Sequence, residues 1–184
     1  MLDRAGNSYV TGRFSMQATF GKGEAQETSL KRPPHTIANP VFVAKYDQRG
    51  RLVWATQGTG TGGFMEVSGL AVDETAHVYF TGSFDRTATF GVGEAHETTL
   101  SGAPHHLPSM FLAKYTPDGQ LRWAIQTTNT EGRIVSTGVG VDAAGNSYVS
   151  GELSKTTTFG AGEPHATTLH DAGGYVVATN FSDH

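Results

Sequence analysis

The 184 residues carry 13 basic and 17 acidic side chains, a formal charge of −4 spread without long runs. Clustered Lys and Arg, the footprint of a nucleic-acid or anionic-membrane surface, are therefore lacking. The chain has no cysteine, which excludes disulfides, thiolate metal sites and cysteine nucleophiles; no signal peptide or membrane-spanning run is read in it.

In chain order, residues 8–14 alternate with period two, putting Val10, Gly12 and Phe14 on one face and Tyr9, Thr11 and Arg13 on the other, which predicts a strand. The run Ala18-Thr19-Phe20-Gly21-Lys22-Gly23-Glu24 predicts a short strand ending in a glycine turn, with a return strand over 28–30. Residues 42–47 and 52–55, joined by Gln48-Arg49-Gly50, form a hairpin pattern with Leu52 and Trp54 on one face. The glycine-rich stretch 58–63 fits Gly-x-Gly-x-x-Gly, but a strand pattern follows it where nucleotide binding needs a helix, so a flexible loop is expected. Residues 69–72 then lead by a strand into Asp73.

At Asp73 the pattern starts again. The string Asp-x-x-Gly-Asn-Ser-Tyr-Val opens at Asp3 and returns at Asp142, with a looser copy at Asp73, at spacings of 70 and 69. Phe-Gly-x-Gly-Glu recurs at Phe20, Phe90 and Phe159, and the Lys-Tyr and Leu-x-Trp hairpin of residues 42–55 recurs at 111–124. The chain is thus one repeat domain, 1–184, with approximate repeats 1–69, 70–138 and 139–184. A unit of this kind buries its apolar face against its neighbours. All three copies keep a mid-strand glycine (Gly12, Gly82, Gly151), which predicts a close approach by a neighbour. No stretch has a capped 3.6-residue period, so almost no helix is expected. The fold class is all-β: blade-like antiparallel sheets in tandem, either a propeller fragment or an open curved array.

Taken together, Asp-x-x-Gly-Asn-x-Tyr-Val-x-Gly-x-Phe, Phe-Gly-x-Gly, and Phe-Val-Ala-Lys-Tyr-Asp-x-x-Gly-x-Leu-x-Trp-Ala resemble the SBBP-type bacterial β-propeller repeat over essentially the whole chain. The resemblance implies a bacterial surface or secreted protein, an extracytoplasmic setting and a structural or binding task. The middle copy departs at Thr75-Ala76-His77 and the last at residues 176–181, where Lys-Tyr is replaced.

About 2.6 repeats of ~70 residues fall short of the four or more blades that close a propeller. Exposed edges predict either self-association, three copies making a ring, or an open trough. An excised or engineered fragment whose property is self-assembly is a related reading.

Each chemical motif has a structural explanation beside it. The Asp-x-x-Gly-Asn turn lacks the further acids and distal Glu of a cation loop, so its Asp is read as a turn cap. Glu24, Glu94 and Glu163 are read as solvent-exposed turn tips rather than a ring of cation ligands. His96 and His165 have Gln26 as their counterpart, which removes a symmetric histidine site. No metal site, cofactor or catalytic residue is assigned: zinc needs three or four placed ligands, and no nucleophile elbow is present. His77 is read as the strand-borne histidine, and the aromatic pairs Phe14 with Phe20 and Tyr46 with Trp54 as core. The segments that differ most between copies are 31–40, 101–109 and 170–174, and variable loops on a repeated frame are where binding surfaces sit. The partner-binding candidates are therefore Lys31, Arg32, His35, His105 and His106. The function expected is a non-enzymatic module binding a protein or glycan partner, with no nucleic acid and no membrane insertion. The alternative is a hydrolase or lyase using histidines and acids at one end of the sheets.

Overall fold

Alternation along each predicted strand is realised as seventeen short strands in a computed structural model, which describes residues 1–129, 132–159, 166–170 and 175–177. In the first repeat these are β1 (Ser8–Arg13), β2 (Gln17–Phe20), β3 (Thr28–Lys31), β4 (Val41–Tyr46) and β5 (Leu52–Gly60). The second contributes β6 (Met65–Val72), β7 (Val78–Phe84), β8 (Thr87–Phe90), β9 (Thr98–Ser101), β10 (Ser109–Tyr115), β11 (Leu121–Gln126) and β12 (Thr128–Asn129). The third contributes β13 (Ile134–Val141), β14 (Ser147–Leu153), β15 (Thr156–Phe159), β16 (Thr167–His170) and β17 (Tyr175–Val177). The described helix content is a single 3-10 turn, Pro104–His106.

The middle repeat shows the complete unit, an antiparallel sheet in the order β11-β10-β7-β6. Its β8–β9 hairpin leaves this sheet and extends the preceding one, giving the order β1-β4-β5-β8-β9. The β15–β16 hairpin of the third repeat likewise pairs with β12, which follows β11. The second and third repeats therefore each pair a hairpin with a strand at the end of the repeat before them. This corrects the flexible-loop expectation for residues 58–63: Gly58, Thr59 and Gly60 are strand residues paired with Phe90, Thr89 and Ala88. Glycine serves there because a Cβ on Gly58 would lie 2.5 Å from the Phe90 ring. The turn that follows is held by Asp85, whose carboxylate accepts from Gly63 N (3.0 Å) and Phe64 N (2.9 Å).

Two cores lie between repeats. Tyr9, Val41 and Val43 of the first repeat pack on Phe80, Phe90, Phe111 and Tyr115 of the second. Tyr79, Met110 and Leu112 on the opposite face of the second repeat pack on Ile134, Val149 and Phe159 of the third. Every residue of β7 and of β10 is consequently buried, polar ones included. Thr81 survives there because its hydroxyl donates to Phe111 O (2.7 Å), as a buried hydroxyl must. The mid-strand Gly82 has the expected crowding: a Cβ would strike the Glu66 carbonyl and come within 2.6 Å of the Phe111 ring.

Two expected aromatic pairs are corrected. Trp54 meets Tyr9 edge-on at 6.2 Å, not Tyr46, and Phe20 meets Phe42 at 4.8 Å, not Phe14. A register shift between Lys45 and Tyr46 sets Lys45 opposite Trp54 and Tyr46 opposite Leu52. Lys45 and Trp54 thus share a face from which Tyr46 is turned away.

Candidate functional site

The groups common to the repeats form one recurring cluster at the junction between neighbours. Asp3 accepts from Asn7 N (2.9 Å), Asn7 Nδ2 (2.8 Å) and the Tyr9 hydroxyl (3.0 Å). Lys45, buried, sits 5.4 Å from the Tyr9 ring centroid and donates through Nζ to Pro117 O (3.1 Å) of the next repeat. Trp54 Nε1 donates to the same carbonyl at 2.9 Å. One repeat along, Asp73, Tyr79, Lys114 and Trp123 repeat the set: Tyr79 donates to Asp73 (3.2 Å) and to Gly145 O (3.2 Å), and Lys114 lies 4.9 Å from the Tyr79 ring. Tyr148 donates to Asp142 at 3.0 Å in the third.

The electrostatics follow from this geometry. Burial pushes the Tyr9 hydroxyl far above its ordinary range, reinforced by its bond to Asp3 and by the Asp73 charge. Burial alone would raise Asp3 and Asp73. Bonds from Asn7 and Tyr9, and from Thr75 and His77, outweigh it and hold both carboxyls below 3.8. These aspartates cap their turns, as the sequence reading expects.

The glutamates differ from expectation. Glu24 and Glu94 do not stand in solvent as turn tips but fold back onto their own repeats. Leu52 N donates to Glu24 at 2.6 Å and Leu121 N to Glu94 at 2.5 Å. Glu27 and Glu97 close the glycine turns by accepting from Gly23 N (2.7 Å) and Gly93 N (2.6 Å). Glu163 and His165 lie outside the described residues. His77 is also corrected: it precedes β7 instead of lying on it. Its Nδ1 is held by the Thr75 hydroxyl (2.8 Å) and Asp73 (3.3 Å), beside a cleft of about 170 Å³ that reaches Lys114 and Gly145. Among the described residues no group of three or more His, Asp and Glu is placed to hold a metal ion.

The five partner-binding candidates fall in two loops that occupy the same place in successive repeats. Lys31 ends β3, Arg32 and His35 lie in the loop from β3 to β4, and His105 and His106 lie in the loop from β9 to β10. Each loop is tied at its stem by a glutamine of its own repeat: Gln57 Nε2 donates to Lys31 O (3.0 Å) and Gln126 Nε2 to Ser101 O (2.6 Å). Arg32 N donates to Met16 O (2.9 Å) and Ala103 N to Ser109 Oγ (2.8 Å), fixing the next step of each stem. Beyond the stems the tips are exposed. His35, His105 and His106 adopt left-handed φ of 62°, 59° and 60°, and Ile37 is 71% exposed. His35 and His105, 70 positions apart, thus share a backbone conformation uncommon outside glycine. Sequence reasoning passed over Ile37, although an apolar residue in a loop between two prolines was the available signal.

No family model matches the chain. It is 29% identical over 127 residues to an uncharacterized WD repeat-containing protein of Acanthamoeba polyphaga mimivirus, a likeness covering 65% of this chain and 9% of that protein. The chain spans less than a tenth of the length of that relative. The tandem antiparallel sheets and the similarity to a WD-repeat protein agree on a propeller-like repeat fold. The narrower SBBP-type assignment rests on the motif resemblance. No helix among the described residues is long and apolar enough to cross a membrane.

Proposed function

We propose that the chain is a non-enzymatic interaction module that presents the loops 31–40 and 101–109 to a protein or glycan partner. One observation carries the reading. The acids, amides and cations shared by the repeats are engaged in holding the frame, whereas the groups that differ are presented on anchored loops, Lys31, His35, Ile37, His105 and His106 exposed and Arg32 half-buried. An apolar Ile37 flanked by two cations and a histidine is a surface of the kind that docks a partner. An extracytoplasmic, cell-surface or secreted setting forms part of the same proposal and draws on the SBBP-type resemblance.

The test compares the wild type with a loop variant, Lys31→Ser, Arg32→Ser, His35→Ala, His105→Ala and His106→Ala. Both are screened against a glycan array and a displayed-peptide library after equal melting temperatures have been verified. Ligands retained by the wild type and lost by the variant support the reading. Ligands bound equally by both would move the binding surface off these loops.

A further inference from the structure

Spread without long runs in the sequence, the charges are sorted by the fold. β7 runs from the Asp73 turn to Arg86, β8 from Arg86 to the Gly91 turn, and β9 from Glu97 back to Ser101. The repeated acids of the Asp turns and glycine turns therefore stand at one end of these strands, and Arg86 and the two loops at the other. Short contacts join the second group into one band. Arg32 N donates to Met16 O (2.9 Å), its counterpart Gly102 N to Arg86 O (2.5 Å), and Ile134 N, next to Arg133, to Pro108 O (3.1 Å). A Cβ on Gly60 would lie 3.5 Å from Ala38 of the first loop and 3.1 Å from Thr87 O beside Arg86. Arg133 O accepts from Ser154 N (2.9 Å), which brings in Lys155. Arg86 and Lys155, both exposed, hold the same left-handed turn in successive repeats, at φ 63° and 60°.

Acids are scarce along this band. None occurs between Glu27 and Asp47 or between Glu97 and Asp118. Among the described residues at this end, Asp85 is spent on Gly63 N and Phe64 N, Glu152 pairs with Arg133 (3.5 Å), and Glu66 lies near the start of β6. Arg86, His105 and His106 are exposed although a repeat packs on either side of theirs.

We infer that the partner of the loops is a protein carrying an acidic segment with an aliphatic residue, laid along the band from Lys31 and Arg32 past Arg86 to His105 and His106. The inference rests on the reading that these loops dock a partner and adds the partner's chemistry. Charge complementarity selects an anion here, although the chain as a whole is net negative. Arg32 and Arg86 carry guanidinium groups, which grip carboxylates by paired hydrogen bonds. The exposed large apolar residues of the band are aliphatic, Met16 at 65% and Ile37 at 71%. They suit a Leu or Ile of the segment, whereas a sulfated glycan would leave them uncovered. Among the described residues the exposed aromatic ring, Tyr148, lies at the opposite end, bonded to Asp142, and is not placed to stack a sugar on the band.

The probe is a labelled, capped octapeptide, Asp-Glu-Leu-Asp-Glu-Leu-Asp-Glu, titrated with the full chain and read by fluorescence anisotropy. Replacing its acids by Asn and Gln should weaken binding by about tenfold or more, and raising salt from about 50 to about 200 mM should weaken it by about tenfold. Arg86→Gln, outside the loops, and Ile37→Ser should each weaken it by about threefold at unchanged melting temperature. A neutral peptide bound as tightly as the acidic one overturns the inference and leaves the loops as a docking surface. Equal binding of the acidic peptide by wild type and the loop variant overturns the loop reading as well. No binding at millimolar peptide overturns the inference alone if the loop variant still loses ligands that the wild type retains. A heparin hexasaccharide bound in preference to the peptide, and unaffected by Ile37→Ser, makes the partner a sulfated glycan and overturns it too.

Discussion

The first and second repeats carry corresponding residues in unequal surroundings. Phe20 and Phe42 stack at 4.8 Å in one, Phe90 and Phe111 at 4.9 Å in the other. Yet Phe90 and Phe111 are fully buried against the first repeat, whereas Phe20 and Phe42 are only partly covered. The two glycine turns differ similarly. Gly119 lies against the Trp54 ring, where a Cβ would approach to 2.6 Å, while Gly50 has nothing within 4 Å. The Phe–Phe contact made within a repeat is the same in both copies, and the packing of that pair and of the glycine turn against a neighbouring repeat is not. Burial in this fold is conferred by the neighbour, as expected for units that interact only with adjacent units.

The largest effect should come in the core that the first and second repeats share. Phe80→Ala should cost about 4 kcal/mol, a loss on the scale of large-to-small core changes. Val10→Ala, at the corresponding position, should cost less than about 0.5 kcal/mol. Urea unfolding of both variants measures the contrast, and near-equal losses would break it. Next come the turns. Gly119→Ala combines a left-handed φ of 83° with collision against Trp54 and should cost about 3 kcal/mol. Gly50→Ala, at φ 74° with open space, should cost about 1 kcal/mol.

These unequal pairs also show what was legible in the sequence. Period-two alternation and glycine turns are local, so β1, the β2–β3 and β8–β9 hairpins and the Trp hairpins could be read residue by residue. The pairing of Gly58, Thr59 and Gly60 with β8 was not legible. It joins two repeats, and nothing in a run of glycine and threonine names a partner some thirty residues away. Likewise the register shift at Lys45 and Tyr46 reassigns Trp54 from Tyr46 to Tyr9 without leaving a mark in the alternation. At the candidate site, the loops carrying His35, His105 and His106 were located because they break the repeat. The fold-back of Glu24 and Glu94 was missed because Gly-x-Gly-Glu states a turn but not the amide beyond it.

A within-repeat contact supplies the control. Glu24→Gln and Glu94→Gln each weaken a charge-assisted bond to a strand amide, so both should cost about 1–2 kcal/mol and to the same extent. A large difference between these two would show that even this contact depends on the neighbour.

The smallest effect concerns acid. Asp3 and Asp73 are held below the ordinary 3.8 of a carboxyl in the folded chain. A group with a lowered folded pKa contributes stability above its unfolded value and loses it as pH falls through the folded one. Asp3→Asn and Asp73→Asn should therefore lower Tm at neutral pH, and the deficit should shrink as pH drops below about 4. Asp73 is the sharper case. Its partner Tyr79 also bonds to Gly145 O across the junction, whereas the bonds to Asp3 all come from its own repeat. Melting curves between neutral pH and pH 3 should accordingly show the greater deficit for Asp73→Asn, and a greater deficit for Asp3→Asn would reverse the order that neighbour-conferred burial sets.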